Sequence, residues 1–440
     1  MKKEKYHLLL YIIFSSIVSL VTFWIVDIYK AEAINFIEVV LYTSIFIAFT
    51  LIIYFNSNKN SNYTFILFII VAIGIFLIIF YNNPMDNYMF ASGDEYYYRD
   101  LSKYLREHGR LPTISEVDLT SYLYIVIINI ILYIFKSDIY IKIFNIIYYF
   151  VGLVYVYKII KNFFTRNICI KIISISIISP LGFWFANSYY KDSFLFLLTV
   201  ICIYNCIKFR WINAIIFMVL AVLNRPGYIF PLLIIIILSI YERKNINLFK
   251  VKGKILIYIG TVFVALYSIN SDKIDWYLKR LSIAKGRIAD FFGFLPLNAL
   301  LLPILTFVSY TQPMFNYVID KDNPYLLLDK VGNYEAIISL AFLPFIIYIL
   351  LMYKELNNKE KMFIHISGVF YLMFALIGYI FTFRHLTYSR FLFYSLGVLG
   401  LDKYKKNKEN IYKGLVLILA ILYFVSFIFL RAFVFSRGHY

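Results

Sequence analysis

Residues 7–26 read HLLLYIIFSSIVSLVTFWIV, a run without a single acid, lysine or arginine. As an α-helix it rises about 1.5 Å per residue and so covers roughly 30 Å, the hydrocarbon thickness of a bilayer. The run follows a basic stub, Met1-Lys2-Lys3-Glu4-Lys5, and precedes Ala31-Glu32-Ala33, which imitates a leader-cleavage site. A secretory leader has an apolar core of about 7–15 residues. This one is longer, so the expectation is a retained first span.

Comparable runs recur along the chain, at 36–54, 63–80, 255–269 and 335–352. Of the 440 residues 62% are hydrophobic and 15% charged, with a mean hydropathy of +0.76. Soluble domains sit nearer half apolar and a quarter charged. In lipid the backbone must satisfy its own hydrogen bonds, and without barrel-type alternation only helices do so. The expected fold class is all-α: a polytopic transmembrane helical bundle of about thirteen spans, forming one integral membrane domain over 1–440 with no internal repeat.

The net charge of +18 does not indicate a nucleic-acid binder, because of where it lies. Lysines and arginines gather in short loops at 1–5, 56–60, 158–171, 208–210, 241–254, 354–361 and 402–413. Cytoplasmic loops carry such an excess. With the N-terminus inside, spans are expected near 7–26, 34–55, 63–82, 140–158, 170–187, 191–207, 211–223, 228–241, 255–270, 335–353, 362–383, 389–401 and 411–431. The apolar stretch 119–135 is short. If it spans, the basic stretch 158–171 lands outside; if it lies in the interface or re-enters, that stretch falls inside, which the charge rule prefers. Two large outer loops follow, 83–121 with an amphipathic helix and 271–334 with an interfacial or re-entrant segment broken by Pro296 and Pro303. Cys169, Cys202 and Cys206 have no metal-binding spacing and suggest no disulfide.

No phosphate-cradling Gly-Lys-Ser/Thr loop, Gly-rich dinucleotide turn or His-Glu-x-x-His is present. Chemistry is therefore sought among ionisable residues on the outer side, where charge near lipid is costly and seldom idle. Four groups stand out. Asp94-Glu95 opens an amphipathic segment with Tyr97, Arg99 and Asp100. A carboxylate here suits a general base, and a helix cap or first-turn acid is the structural alternative. The turn Asn187-Ser188-Tyr189-Tyr190-Lys191-Asp192 offers a cation and an acid, or simply an aromatic belt with a snorkelling lysine. Asn224-Arg225-Pro226-Gly227 is an outer turn whose arginine is either functional or merely solvated. Arg384-His385 and Arg390 suit a phosphate, which guanidinium binds bidentately.

The order of these elements resembles membrane glycosyltransferases of the GT-C fold that use polyprenyl-phosphate sugar donors, and related bacterial polysaccharide (O-antigen and capsule) polymerases. The likeness rests on Asp94-Glu95-Tyr96-Tyr97 through His108-Gly109-Arg110-Leu111-Pro112, on 179–193, on Asn224-Arg225-Pro226 and on the late arginines. It departs from many relatives in placing the acidic loop after the third span, and in lacking the large outer C-terminal domain of some.

The resemblance implies transfer of a sugar from a polyprenyl-phosphate carrier to a glycan, lipid or protein acceptor. The setting is cell-surface polysaccharide assembly on the outer face of a bacterial plasma membrane. Asp94 and Glu95 are the candidate catalytic residues and the candidate ligands of a divalent metal (Mg or Mn). Arg225, Arg384, Arg390 and Lys191 would bind the donor phosphate, with Asp100, Asp192, Tyr97 and His385 in support. A repeat-unit polymerase is the nearest alternative. A flippase or transporter is the alternative of another class, disfavoured by scarce glycine (17 of 440) and by charges at span ends.

Overall fold

The computed structural model describes residues 93–113, 116–117, 121–137, 139–177, 179–225, 228–243, 335, 339, 342–377 and 389–406. Among them there is no strand. The helices are α1 (Gly93–Ser102), α2 (Tyr104–His108), α3 (Tyr122–Phe135), α4 (Ile139–Ile160), α5 (Arg166–Ile177), α6 (Pro180–Ala186), α7 (Asp192–Ile207), α8 (Trp211–Asn224), α9 (Ile229–Arg243), α10 (Phe342–Leu351), α11 (Asn358–Ile377) and α12 (Arg390–Lys406). Among the described residues one stretch, Tyr140–Ile160 within α4, is long and apolar enough to cross a membrane by length and composition, and five other apolar helices are shorter. The spans expected at 7–26, 34–55, 63–82, 255–270 and 411–431, and the loop 271–334, lie outside the described residues.

Side-chain bonds fix the direction of each helix. Near the start of α4, the Asn145 amide donates to the Ser188 carbonyl (2.7 Å) and the Tyr190 carbonyl (3.2 Å), just before α7 begins. Beyond the other end of α4, Lys208 Nζ donates to Asn162 Oδ1 (2.9 Å), just after α7 ends. Helices α4 and α7 are therefore parallel, and α5 with α6 carries the chain back between them. Helix α8 returns to the end where α7 began, and its Asn224 accepts from the Tyr124 N–H (3.1 Å). Helix α9 descends again, so that Ser239 receives the Trp211 indole N–H (3.1 Å) and donates to the Cys206 carbonyl (2.9 Å).

Two ends result: a junction end around Asn145, Ser188, Tyr190 and Asn224, and a basic end around Asn162 and Lys208. Both ends of α3 stay at the junction end, since Asn145 donates to the Tyr124 hydroxyl (2.8 Å) and Phe135 stacks on Tyr140 (4.5 Å). The basic stretch 158–171 consequently lies with Lys208 and opposite the 187–193 turn.

The described helices of the second half dock on the same two ends. Phe163 and Phe164 pack edge-on against Phe363, tying the end of α4 to the start of α11. That start is a reciprocal capping box: Asn357 Oδ1 accepts the Glu360 N–H (2.9 Å) and Glu360 Oε2 accepts the Asn357 N–H (3.0 Å). Glu360 also pairs with Lys403 at 2.9 Å, so α12 finishes at the basic end. Helices α10 and α12 run parallel, with Phe342 against Tyr394 and Phe345 against Tyr404.

Glycine admits this closeness. A Cβ on Gly397 would lie 2.6 Å from Phe342 Cβ, and one on Gly400 would meet the Phe345 carbonyl. Gly152 receives the Phe196 ring and Gly182 the Tyr149 hydroxyl in the same manner. Small residues allow helices to approach at backbone distance.

The expected span 170–187 is in fact two helices, parted before Pro180. Proline has no N–H to donate and a fixed φ, so it suits the first turn of a new helix. Ser179 precedes it, and its Oγ accepts the Gly182 N–H (3.3 Å), an N-cap bond.

Candidate functional site

Asp94 and Glu95 are the second and third residues of α1, in the turn where a helix presents its positive end. Three residues beyond Glu95, Tyr98 is buried and sets the seat of this helix. Its hydroxyl shares a hydrogen bond with Ser121 Oγ (3.0 Å), and its ring stands edge-on to Tyr124 (5.5 Å) and to the more exposed Tyr97 (5.6 Å). At the break between α1 and α2, Asn129 of α3 donates to the Leu101 carbonyl (2.6 Å) and accepts the Leu105 N–H (2.8 Å). One buried amide thus satisfies both sides of the break. Asp100 lies on the exposed side of α1.

Lys191 reaches the same place from the 187–193 turn. It is buried, its ammonium donates to Ser121 Oγ (2.7 Å), and it stands 5.9 Å from the Tyr98 ring centre. A cation near a ring face is attracted by the ring quadrupole. The turn is rigidly anchored, because the carbonyls of Ser188 and Tyr190 receive Asn145 and that of Tyr189 receives the Tyr124 hydroxyl (2.9 Å). Lys142, also buried, approaches the Tyr189 ring at 5.9 Å. Asp192 opens α7 and faces Arg225 at 3.9 Å. Arg225 is held by its position after α8, where its N–H donates to the Ala221 carbonyl (2.9 Å).

Two of the four groups named from sequence, the 187–193 turn and the 224–225 turn, therefore meet at the junction end, and α1 joins them there through Tyr98. Of the fourth group the described residues include Arg390, which engages another set of residues. Arg390 is buried at the head of α12, with Nη1 donating to Ser339 Oγ (2.9 Å) and Nε 3.7 Å from Glu335 Oε1. Glu335 is fully buried. Its Oε2 accepts from Ser179 Oγ (2.8 Å) and the Leu181 N–H (3.1 Å), and its Oε1 accepts from the Tyr394 hydroxyl. Arg384 and His385 lie outside the described residues.

Sequence reading missed Glu335, Tyr98, Ser121, Asn145 and Lys142. An acid at the head of an eighteen-residue apolar run, 335–352, was the available signal for Glu335. The others look like ordinary aromatic-belt and helix residues until their partners are known.

A second polar knot closes the loop after α2. Gly109 adopts φ +68° and ends that helix, with its N–H donating to the Leu105 carbonyl (2.9 Å). Arg110 then forks onto Glu116 through Nη1 (2.9 Å) and Nη2 (2.6 Å), while the Thr113 N–H and hydroxyl (both 2.8 Å) and the Tyr104 hydroxyl (2.6 Å) donate to the same carboxylate. The Arg110 bonds, followed by those from Thr113 and Tyr104, hold the Glu116 carboxyl far below its ordinary range. The bond to Glu116 pushes Tyr104 upward in return.

Among the described residues no three His, Cys, Asp or Glu side chains gather as a metal site. No protein-family model, curated protein or solved structure matches the chain.

Proposed function

We propose that the chain is an integral membrane glycosyltransferase. It transfers a sugar from a polyprenyl-phosphate carrier to an acceptor hydroxyl on the outer face of a bacterial plasma membrane. The observation that carries this reading is the Tyr98–Ser121–Lys191 link. It joins the helix headed by Asp94 and Glu95 to the end of the bundle that holds Lys191 and Arg225.

Embedding in lipid is supported by surface chemistry. Along α8, Ile212, Ile215, Ile216, Val219 and Leu223 form one exposed stripe, with Ile212 at 77% exposure. The interior, in contrast, holds hydrogen-bonded Asn145, Asn129 and Glu335. Apolar outside and bonded polar groups inside is what lipid demands. Lys161, Arg166, Lys208, Arg210 and Lys403 all belong to the basic end, which is the cytoplasmic side under the charge rule.

In this reading Asp94 takes the proton of the acceptor hydroxyl and Glu95 orients that hydroxyl. The acceptor oxygen bonds to the anomeric carbon as the bond from that carbon to the phosphate oxygen breaks. The electron pair leaves with the carrier phosphate, whose charge Lys191 and Arg225 stabilise. Cations already in position for developing charge contribute several kcal/mol in a site that excludes water. A divalent metal at the acidic pair would add charge neutralisation there, and no step requires it.

The test is the surface-glycan profile of a deletion strain complemented with wild type, Asp94→Asn or Glu95→Gln at matched membrane levels. Loss of glycan with normal insertion is the expected result. Wild-type glycan from both variants, with loss from Arg225→Ala, removes the base and moves the assignment to the repeat-unit polymerase.

A further inference from the structure

The polar group around Glu335 lies outside the site just proposed, and its position relative to α6 gives it a consequence there. Glu335 Oε2 bonds both to Ser179 Oγ and to the Leu181 N–H, the cap and second residue of α6. A carboxylate from a segment 156 residues away in sequence thereby completes the N-terminus of this short helix. Its other oxygen faces Tyr394 and Arg390 of α12. Helix α6 is pinned laterally as well, because Tyr149 of α4 donates to the Ser176 carbonyl (2.9 Å) and seats its hydroxyl at Gly182. Five residues after α6 ends comes Lys191, in a turn that α4 holds through Asn145, one helical turn from Tyr149.

We infer that the Glu335–Arg390 pair is a positioning device for the phosphate-binding cation Lys191, acting through α6. This rests on the glycosyltransferase reading for what Lys191 binds, though not for where Lys191 is held. If Glu335 lets go of Ser179 and Leu181, the N-terminus of α6 is uncapped and the helix moves along its axis. The 187–193 turn is its direct continuation. Arg390 holds the Glu335 carboxyl in place from α12 and does not touch substrate.

A buried ion pair also stabilises the fold, so the experiment must separate the two roles. Removing one partner strands a buried charge, whereas removing both is often near neutral for stability. The full-length protein in lipid nanodiscs is prepared as wild type, Glu335→Gln, Arg390→Gln and the double variant, with Ser179→Ala as a variant that keeps the charge pair.

Three quantities are read: melting temperature, acylation rate of Lys191 by an amine-reactive ester, and affinity for undecaprenyl phosphate. The expected double variant melts near wild type, while Lys191 reacts about tenfold faster and undecaprenyl phosphate binds about tenfold more weakly. Ser179→Ala moves both readouts in the same direction by a smaller factor.

A double variant or Ser179→Ala with wild-type Lys191 reactivity overturns the inference and leaves Glu335 a scaffold residue. Faster acylation in a background where wild type fails to bind undecaprenyl phosphate upholds the positioning role and overturns the function proposed for Lys191. Should the double variant not fold, Ser179→Ala decides alone.

Discussion

Two buried cations sit in this molecule among different neighbours. Arg390 faces a carboxylate whose two oxygens are already engaged by two hydroxyls and an amide, all buried among helices. Lys191 is held by a hydroxyl and approaches a tyrosine ring, and the neighbouring Arg225 stands 3.9 Å from its acid. The first arrangement is closed, since its charge is answered inside the bundle by a fixed anion. The second brings Lys191 to a hydroxyl and a ring at the end of the bundle, beside Arg225 and Asp192. A protein that must hold helices together is served by the first.

The largest expected effect tests the closed region. Glu335→Ala leaves Arg390 beside Ser339 without its carboxylate and should destabilise the protein by about 3–5 kcal/mol, read from denaturant or thermal unfolding in detergent. Asp192→Asn should lower stability by only about 1–2 kcal/mol, because the amide still offers an oxygen to Arg225 across a longer gap. Equal losses from the two would erase the distinction drawn between the regions.

Next comes the packing around the closed region. Gly400→Val should destabilise by about 1–3 kcal/mol, since its side chain must enter the Phe345 backbone. Gly368→Val, where an added Cβ meets nothing within 4 Å, is the control and should sit near wild type in the same unfolding assay.

Lys191→Met should leave the melting temperature within a few degrees of wild type, while sugar transfer from a polyprenyl-phosphate donor falls about a hundredfold. A large stability loss with retained transfer would make Lys191 another structural cation.

The smallest effect concerns the loop after α2. Glu116 has its carboxyl held below the ordinary value, so the contribution of the knot is present above that value and disappears only as pH falls through the depressed one. Amide exchange across 104–117 should therefore stay slow from neutral pH down to about 4, the usual carboxylate range, and quicken only below it. Glu116→Gln should show fast exchange at neutral pH.

Much of the helix order was legible because apolar runs end where charge begins. The expected 191–207 and 211–223 correspond to Asp192–Ile207 and Trp211–Asn224. The break before Pro180 carried a local signal, Ser179-Pro180, which the apolar run around it overrode. Arg390 was legible as an unusual cation but not as one of a pair, since its partner Glu335 lies 55 positions earlier and no periodicity links them. The meeting of Tyr98, Ser121 and Lys191 was equally hidden. Such contacts depend on how parallel and antiparallel helices are ordered in space, and composition does not encode that order.

Each glycine that receives a ring makes two positions heritable as one. At Gly152 and Phe196, an added Cβ would come within 2.6 Å of the ring, so neither residue is free to change size alone. The same holds for Gly397 with Phe342, also at 2.6 Å, and for Gly182 with Tyr149. In a lineage of such chains, a larger residue at 152 should appear only beside a smaller one at 196. Drift in this protein should therefore run through linked exchanges, leaving a record of helix neighbours that outlasts similarity in the rest of the sequence.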